Sequence, residues 1–212
     1  MTIETYRGKA LDIHFDAHKC VHSRNCVLSL TRVFQANVEG PWIDPDGASA
    51  EEVAAAVRAC PSGALTYTRQ DAGAKERAPD VNCVRALENG PLMLHADIEI
   101  LGAPAGTRAM LCRCGLSKNK PYCDHSHAEA GFLATGEPAT KPEIAPLTAR
   151  GGTLKITPQK NGSLRVEGNL EILSGTGRRV DLTTKAFLCR CGHSANKPYC
   201  DGTHNKIGFQ AE

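Results

Sequence analysis

Apolar and polar residues alternate along Leu11-Asp12-Ile13-His14-Phe15, which puts Leu11, Ile13 and Phe15 on one face of a strand. Asn25 to Leu30 reads as a short helical turn, and Trp42-Ile43-Asp44 as a short strand ended by the turn residues Pro45-Asp46-Gly47. The clearest helix opens at Ser49. That residue is an N-cap candidate, Glu52 stands at the capping-box position, and an Ala-rich run continues to Ala59. Cys60-Pro61 stops the helix, and Ala64 to Thr68 reads as a closing strand. The expected order over residues 1–70 is β-α-β-β-α-β, of which these runs supply five elements, followed by a polar linker from Gln70 to Pro79.

The remainder, residues 80–212, is an internal duplication. Residues 111–127 and 188–204 are identical at thirteen of seventeen positions. Upstream, Ile98-Glu99-Ile100-Leu101 corresponds to Leu170-Glu171-Ile172-Leu173, and Asn89-Gly90 to Asn161-Gly162. Asn-Gly between strand-like runs signals a hairpin, and the type I′ turn expected there needs two positive φ angles. Each repeat, about 82–132 and 154–209, is thus expected to be a hairpin, a further strand, and a loop ending in a short helix. The fold class expected is α+β: an N-terminal βαββαβ unit followed by a β-rich unit of two pseudo-symmetric repeats. A Pro-rich connector, Gly136 to Gly152, joins the repeats.

Composition narrows the function classes. The chain has 212 residues, is 41% hydrophobic and 23% charged, and carries a formal net charge of +2. Nothing in that balance points to nucleic acid, and no apolar run approaches the ~20 residues that cross a bilayer. Met1 to Tyr6 lacks the basic start and apolar run of a secretory signal, so a cytoplasmic protein is expected. Ten cysteines in such a setting point to metal rather than disulfides. Their spacing agrees: Cys112-Arg113-Cys114 and Cys189-Arg190-Cys191 are each followed nine residues later by another Cys and then a His.

Written out, the second motif is Cys189-x-Cys191-x-x-Ser194-x-x-x-Pro198-x-Cys200-Asp201-Gly202-Thr203-His204. It resembles the CDGSH family, the mitoNEET-like iron–sulfur proteins, at every position of that family's signature. The first motif matches apart from His125, which stands where the family has Gly. The resemblance implies a 2Fe–2S cluster in each motif, one iron held by two cysteines and the other by a cysteine and a histidine. The implied ligands are Cys112, Cys114, Cys123 and His127, then Cys189, Cys191, Cys200 and His204. The spacing is compatible. Cys112 and Cys114 share a face of an extended segment, and Asp124 as N-cap would put His127 on the first helical turn. A tetrahedral zinc site with the same three Cys and one His is the alternative. Arg113, Lys120, Arg190 and Lys197 read as solvated charges that could offset the cluster charge, and Tyr122 and Tyr199 as packing residues. Replacing a thiolate by neutral imidazole raises the potential: two-His centres lie at about −150 to +300 mV against roughly −400 mV for all-Cys ferredoxins.

In the N-terminal unit, Cys20-Val21-His22-Ser23-Arg24-Asn25-Cys26 and the distant Cys60-Pro61 look like a divergent single-cluster bacterial ferredoxin. The usual Cys at the middle position is replaced by Ser23. The resemblance implies a ferredoxin-like fold and a cluster on Cys20, Cys26 and Cys60. Three cysteines suit 3Fe–4S, whereas 4Fe–4S needs a fourth ligand from His22, Ser23 or water. Cys83 falls outside every pattern and reads as a strand residue. No dinucleotide loop, nucleophile elbow or P-loop is present in the sequence, so an electron carrier is expected rather than an enzyme. Its partners would be redox proteins, with no nucleic acid or membrane. Delivery of a labile cluster to an apo-acceptor protein, or redox or iron sensing, is the second reading, and a zinc-stabilised interaction module the third.

Overall fold

The structure is a computed structural model that describes residues 3–211. It is mixed α+β, with few helices and many strands, and divides into two compact units between Arg77 and Ala78.

In the first unit β1 (Glu4–Tyr6), β2 (Leu11–Phe15) and β3 (Leu65–Arg69) form an antiparallel sheet with β2 in the middle. A 3₁₀ turn at Ala17–Lys19, then α1 (Asn25–Ser29) and α2 (Ala50–Arg58), lie between β2 and β3. The capping box at the head of α2 is formed: Ser49 N–H donates to Glu52 Oε2 at 3.0 Å, and Glu52 N–H to Ser49 Oγ. Val53, Ala54 and Val57 of α2 pack with Leu11, Ile13 and Leu65 of the sheet. The element order is β-β-α-α-β, not β-α-β-β-α-β. The expected strand at Trp42–Asp44 is only an isolated bridge, Ile43 to Phe34, while β1 was not foreseen. Burial explains both. Ile43 and Phe34 are core residues closed off by turns, so no ladder extends from them, and β1 is largely exposed, with no alternation to announce it.

The second unit contains β4 (Cys83–Ala86), β5 (Leu92–Ile100), β6 (Ala103–Leu111), α3 (Ser126–Glu129), β7 (Thr153–Pro158), β8 (Leu164–Leu173), β9 (Arg179–Leu188) and α4 (Thr203–Lys206). Burial alternates along β5 and β7, as expected of strands with one face on a core. β4 and β5 form one antiparallel hairpin, β7 and β8 the other. Two parallel pairings cross between them, β5 with β7 from Asp97 to Ile100 and β4 with β8 from Cys83 to Arg85. The pairings therefore close a circuit β4–β5–β7–β8–β4, with β6 on β5 and β9 on β8. Leu92, Leu94, Ile98, Leu154, Ile156 and Ile172 are among the side chains of the continuous core it encloses. The hairpin turns differ from type I′. Asn89 and Asn161 have positive φ, at 48° and 53°, but Gly90 and Gly162 do not. Leu87 N–H bonds Pro91 O, giving a three-residue loop in which one left-handed residue suffices.

Candidate metal centres

β6 and β9 end at Leu111 and Leu188, and the chain then turns back beside its own strand. Cys112 N–H donates to Pro121 O at 2.9 Å and Cys123 N–H to Met110 O at 2.9 Å. Cys189 and Pro198, and Cys200 and Phe187, pair in the same way at 2.8 Å each. This short antiparallel return brings the third cysteine of each motif alongside the first two. Ser117 Oγ donates to Tyr122 O at 2.7 Å and accepts from Asn119 N–H at 3.0 Å, and Ser194 repeats both contacts. The loop is thereby tied across its own width.

The donors then fall into pairs. Cys112 and Cys114 Sγ lie 3.7 Å apart, and Cys123 Sγ lies 3.5 Å from His127 Nδ1. In the second motif, Cys189 and Cys191 Sγ are 3.8 Å apart and Cys200 Sγ is 3.3 Å from His204 Nδ1. Two ~2.3 Å metal–sulfur bonds at a tetrahedral angle span about 3.8 Å, and one sulfur with one nitrogen bond about 3.5 Å. Each pair is thus at the bite of one tetrahedral ion. Among the described residues, no three Cys, His, Asp or Glu side chains gather as they would around a single ion. In both motifs Nδ1 is the imidazole nitrogen nearest the cysteine.

The local surroundings suit anionic sulfur. Backbone N–H groups of Leu116, His125 and Gly202 donate to Cys114, Cys123 and Cys200 Sγ, each at 3.4 Å. The Cys114 thiol and, more weakly, the Ser117 and Gly115 N–H groups hold the Cys112 pKa down against burial, while Cys114 is pushed up by the same thiol contact. Burial raises Cys123 to about 11, so metal must displace a proton there. Burial first, and His125 second, lower the pKa of His127, which keeps the ring in the neutral form that ligates metal.

Several expectations about this region change. Asp124 is not the N-cap of α3. The cap is His125, at φ 72°, while Asp124 Oδ2 accepts from Lys118 N–H and Oδ1 from Ser126 N–H. α3 and α4 are single turns of four residues, so individual N–H···S bonds, not a helix dipole, supply the local positive potential. Arg113 and Arg190, expected in solvent, are about 1% exposed. The guanidinium of Arg113 donates to the carbonyls of Leu87, Gly90, Ala134 and Thr135, and that of Arg190 to those of Gln159 and Gly162. Leu87, Gly90, Gln159 and Gly162 lie at the Asn-Gly loops, Ala134 and Thr135 in the segment after α3, and a planar five-donor fork can reach several such oxygens at once. Lys120 and Lys197 donate back to the Ser117 and Ser194 carbonyls. Tyr122 and Tyr199 pack against the core, and Tyr199 OH donates to buried Asp181 at 2.7 Å.

His125 also carries a cost. Its φ of 72° is the left-handed region, where the second motif has Gly202 at 84°. A non-glycine residue there costs ~1–2 kcal/mol, offset in part by the greater unfolded-state freedom of Gly. His125→Gly is expected to stabilise the protein by about 0.5–1 kcal/mol, raising the thermal midpoint by roughly 2 °C. An unchanged or lower midpoint would mean that the 4.6 Å edge contact of His125 with His127 outweighs the backbone cost.

In the first unit Cys20, Cys26 and Cys60 line one cavity of about 300 Å³, together with His22, Ser23 and Arg24. The loop bends there through left-handed φ at His22 (51°) and Arg24 (62°). Burial raises the Cys20 and Cys26 pKa values, and the Cys60 thiol lies close enough to raise both further. Ser62, to which the motif spacing assigns no role, is 2% exposed and its Oγ is 3.6 Å from Cys60 Sγ. Its place two residues after the cysteine was the available signal. Cys83 lies on β4 opposite His95, with its pKa raised by burial.

Comparison with known proteins divides the chain at the same place. The family described as "Divergent 4Fe-4S mono-cluster" matches residues 6–70. The family described as "Iron-binding zinc finger CDGSH type" matches residues 89–128 and 161–205. The uncharacterized protein YjdI of Escherichia coli (strain K12) is 39% identical over 62 residues, covering 29% of this chain and 80% of that protein. Its counterpart in Escherichia coli O157:H7 matches to the same extent.

Proposed function

We infer that this chain, which belongs to the CDGSH iron-binding family and carries an N-terminal domain of the divergent 4Fe-4S mono-cluster family, is a three-cluster electron carrier. The observation that carries this reading is the pairing of donors. Two bites of 3.7 and 3.5 Å in one motif, and 3.8 and 3.3 Å in the other, suit a two-iron core with two protein ligands on each iron. Four donors on one zinc would instead need all of them within one bite of each other. Cys112, Cys114, Cys123 and His127 would hold one 2Fe–2S cluster, and Cys189, Cys191, Cys200 and His204 the other. Cys20, Cys26 and Cys60 would hold a 3Fe–4S cluster, or a 4Fe–4S cluster with a fourth ligand from His22, Ser23 or water. Bound there, such clusters take up and release single electrons.

The protein's own contribution is to hold the donors and set the local potential. The N–H groups directed at Cys114, Cys123 and Cys200 stabilise negative sulfur, and the more negative reduced state benefits most. Nδ1 of each histidine faces the cysteine with which it would share an iron, leaving Nε2 as the second ring nitrogen. The crossed pairing of the two hairpins supports a pseudo-two-fold arrangement, and the three cysteines on one cavity support a divergent single-cluster domain at the N-terminus. A reducing cytoplasmic setting and protein redox partners follow from the same reading. Among the described residues, no helix is long and apolar enough to cross a membrane.

Anaerobic purification with iron, sulfide and EPR analysis tests this. About seven or eight irons per chain, with signals of two centre types, are expected. A colourless protein holding zinc would refute it. Mixing with an apo-ferredoxin separates electron transfer, in which absorbance bleaches and recovers, from delivery, in which the colour moves to the acceptor.

A further inference from the structure

The two metal loops meet back to back, and the contact is reciprocal. A Cβ on Gly115 would lie 2.5 Å from the carbonyl oxygen and 3.2 Å from the Cα of Cys191. One on Gly192 would lie 2.8 Å from the carbonyl carbon and 3.3 Å from the Cα of Cys114. No side chain fits in either place. Both glycines also take a left-handed φ of 85°, so each is required twice over, by backbone shape and by close approach. The glycines after α3 and α4 differ. Gly131 and Gly208 are left-handed as well, but no atom stands within 4 Å of their Cβ positions. A side chain is therefore excluded at Gly115 and Gly192 by the opposite repeat, not merely by the turn.

The residues at this junction are donors. Cys114 and Cys191 each belong to a Cys-x-Cys pair, and Cys112, Cys114, Cys189 and Cys191 are all buried, whereas His127, Cys200 and His204 are half-buried. The main chain that walls in Gly192 is the main chain that directs the Cys114 thiol, and Gly192 itself follows Cys191 directly. Through Gly115 the same relation runs the other way. Close-packed main-chain atoms have no rotamer to escape into, so neither pair can change its backbone without displacing the other.

We propose that the two motifs fill cooperatively: fixing one Cys-x-Cys pair on iron orders the pair of the other repeat through the Gly115–Cys191 and Gly192–Cys114 contacts. This rests on the two-cluster reading above. The conformational entropy of the shared junction is given up once, at the first motif to fill, and the second binds without that cost. Couplings between sites typically amount to about fivefold or more in affinity. Chains with a single motif filled are then scarce, and the protein gains or gives up both centres together.

Native mass spectrometry of the full-length chain counts the filled motifs in each molecule, the centre of the N-terminal unit being told apart by its different mass. The measurement is made during anaerobic reconstitution with limiting iron and sulfide, and again while a chelator removes iron. At half filling, a fivefold coupling makes chains with one filled motif fall short of the binomial proportion by a factor of about 1.5 or more. Cys200→Ala, which removes a donor of the second motif other than Cys191, is expected to make the first motif lose iron to the chelator faster. Cys123→Ala should do the same to the second. A binomial distribution in the unsubstituted chain, or retention at one motif that is indifferent to loss of the other, overturns the proposal. An unsubstituted chain that takes up no iron and sulfide on full reconstitution would instead remove the reading beneath it.

Discussion

Gly192→Ala is expected to cost the second unit at least ~4 kcal/mol and to reduce iron loading at both motifs. The left-handed φ of 85° accounts for ~1–2 kcal/mol of this. The larger part is steric: the new Cβ would sit 2.2 Å from Cys114 O and 2.8 Å from its carbonyl carbon. These are main-chain atoms of a metal loop and cannot rotate away, so the strain falls on the backbone that presents Cys112 and Cys114. Against a typical total stability of about 5–15 kcal/mol, such a loss is large. Gly208→Ala supplies the control, since Gly208 has φ 64° but no atom within 4 Å of its Cβ position. It pays only the conformational term. Thermal unfolding and iron content should place Gly192→Ala far below Gly208→Ala, and equal behaviour of the two would mean that the loops do not abut. Gly115→Ala, 2.5 Å from Cys191 O, should follow Gly192→Ala.

His204→Cys is expected to lower the potential of the second centre by on the order of 100 mV or more while leaving the chain folded. A neutral imidazole leaves the reduced centre with less net negative charge than a thiolate would, and two-His centres sit several hundred millivolts above all-Cys ones. The site accepts the change sterically, since the ring it replaces is half-buried at the start of the single turn α4, with Nδ1 3.3 Å from Cys200 Sγ. Acid should also act differently. Released imidazole is trapped as a cation that metal repels, whereas a thiolate is held by its full charge, so visible absorbance should fade more slowly in acid. Protein-film voltammetry and acid stopped-flow check the two halves of this expectation. An unshifted potential would remove His204 from the ligand set.

How much of this was legible in the chain depends on the range of the interaction involved. The capping box at Ser49 and Glu52 is set by residues three apart, and it formed as read. The motif residues stood out because they occur twice, and local chain reversal brings them together. Where the outcome depended on distant partners, the pattern misled. Ile43 looked like a strand residue but meets only Phe34, and Asn-Gly suggested type I′ turns where one positive φ was enough. Arg113 and Arg190 looked like surface charges, because residue type alone favours solvent for arginine.

The sequence by itself determined which atoms are available for metal: sulfur and imidazole at a repeated spacing, with a divergent three-cysteine set ahead of them. Tertiary structure alone decided what surrounds them. The parallel pairings of β4 with β8 and β5 with β7 join residues about ninety and sixty positions apart, respectively. That closure presses Gly115 against Cys191 and Gly192 against Cys114, and buries two guanidiniums beside them. Spacing along a chain encodes contacts within a turn or a hairpin, whereas burial of a charge is set by what the rest of the fold lays over it.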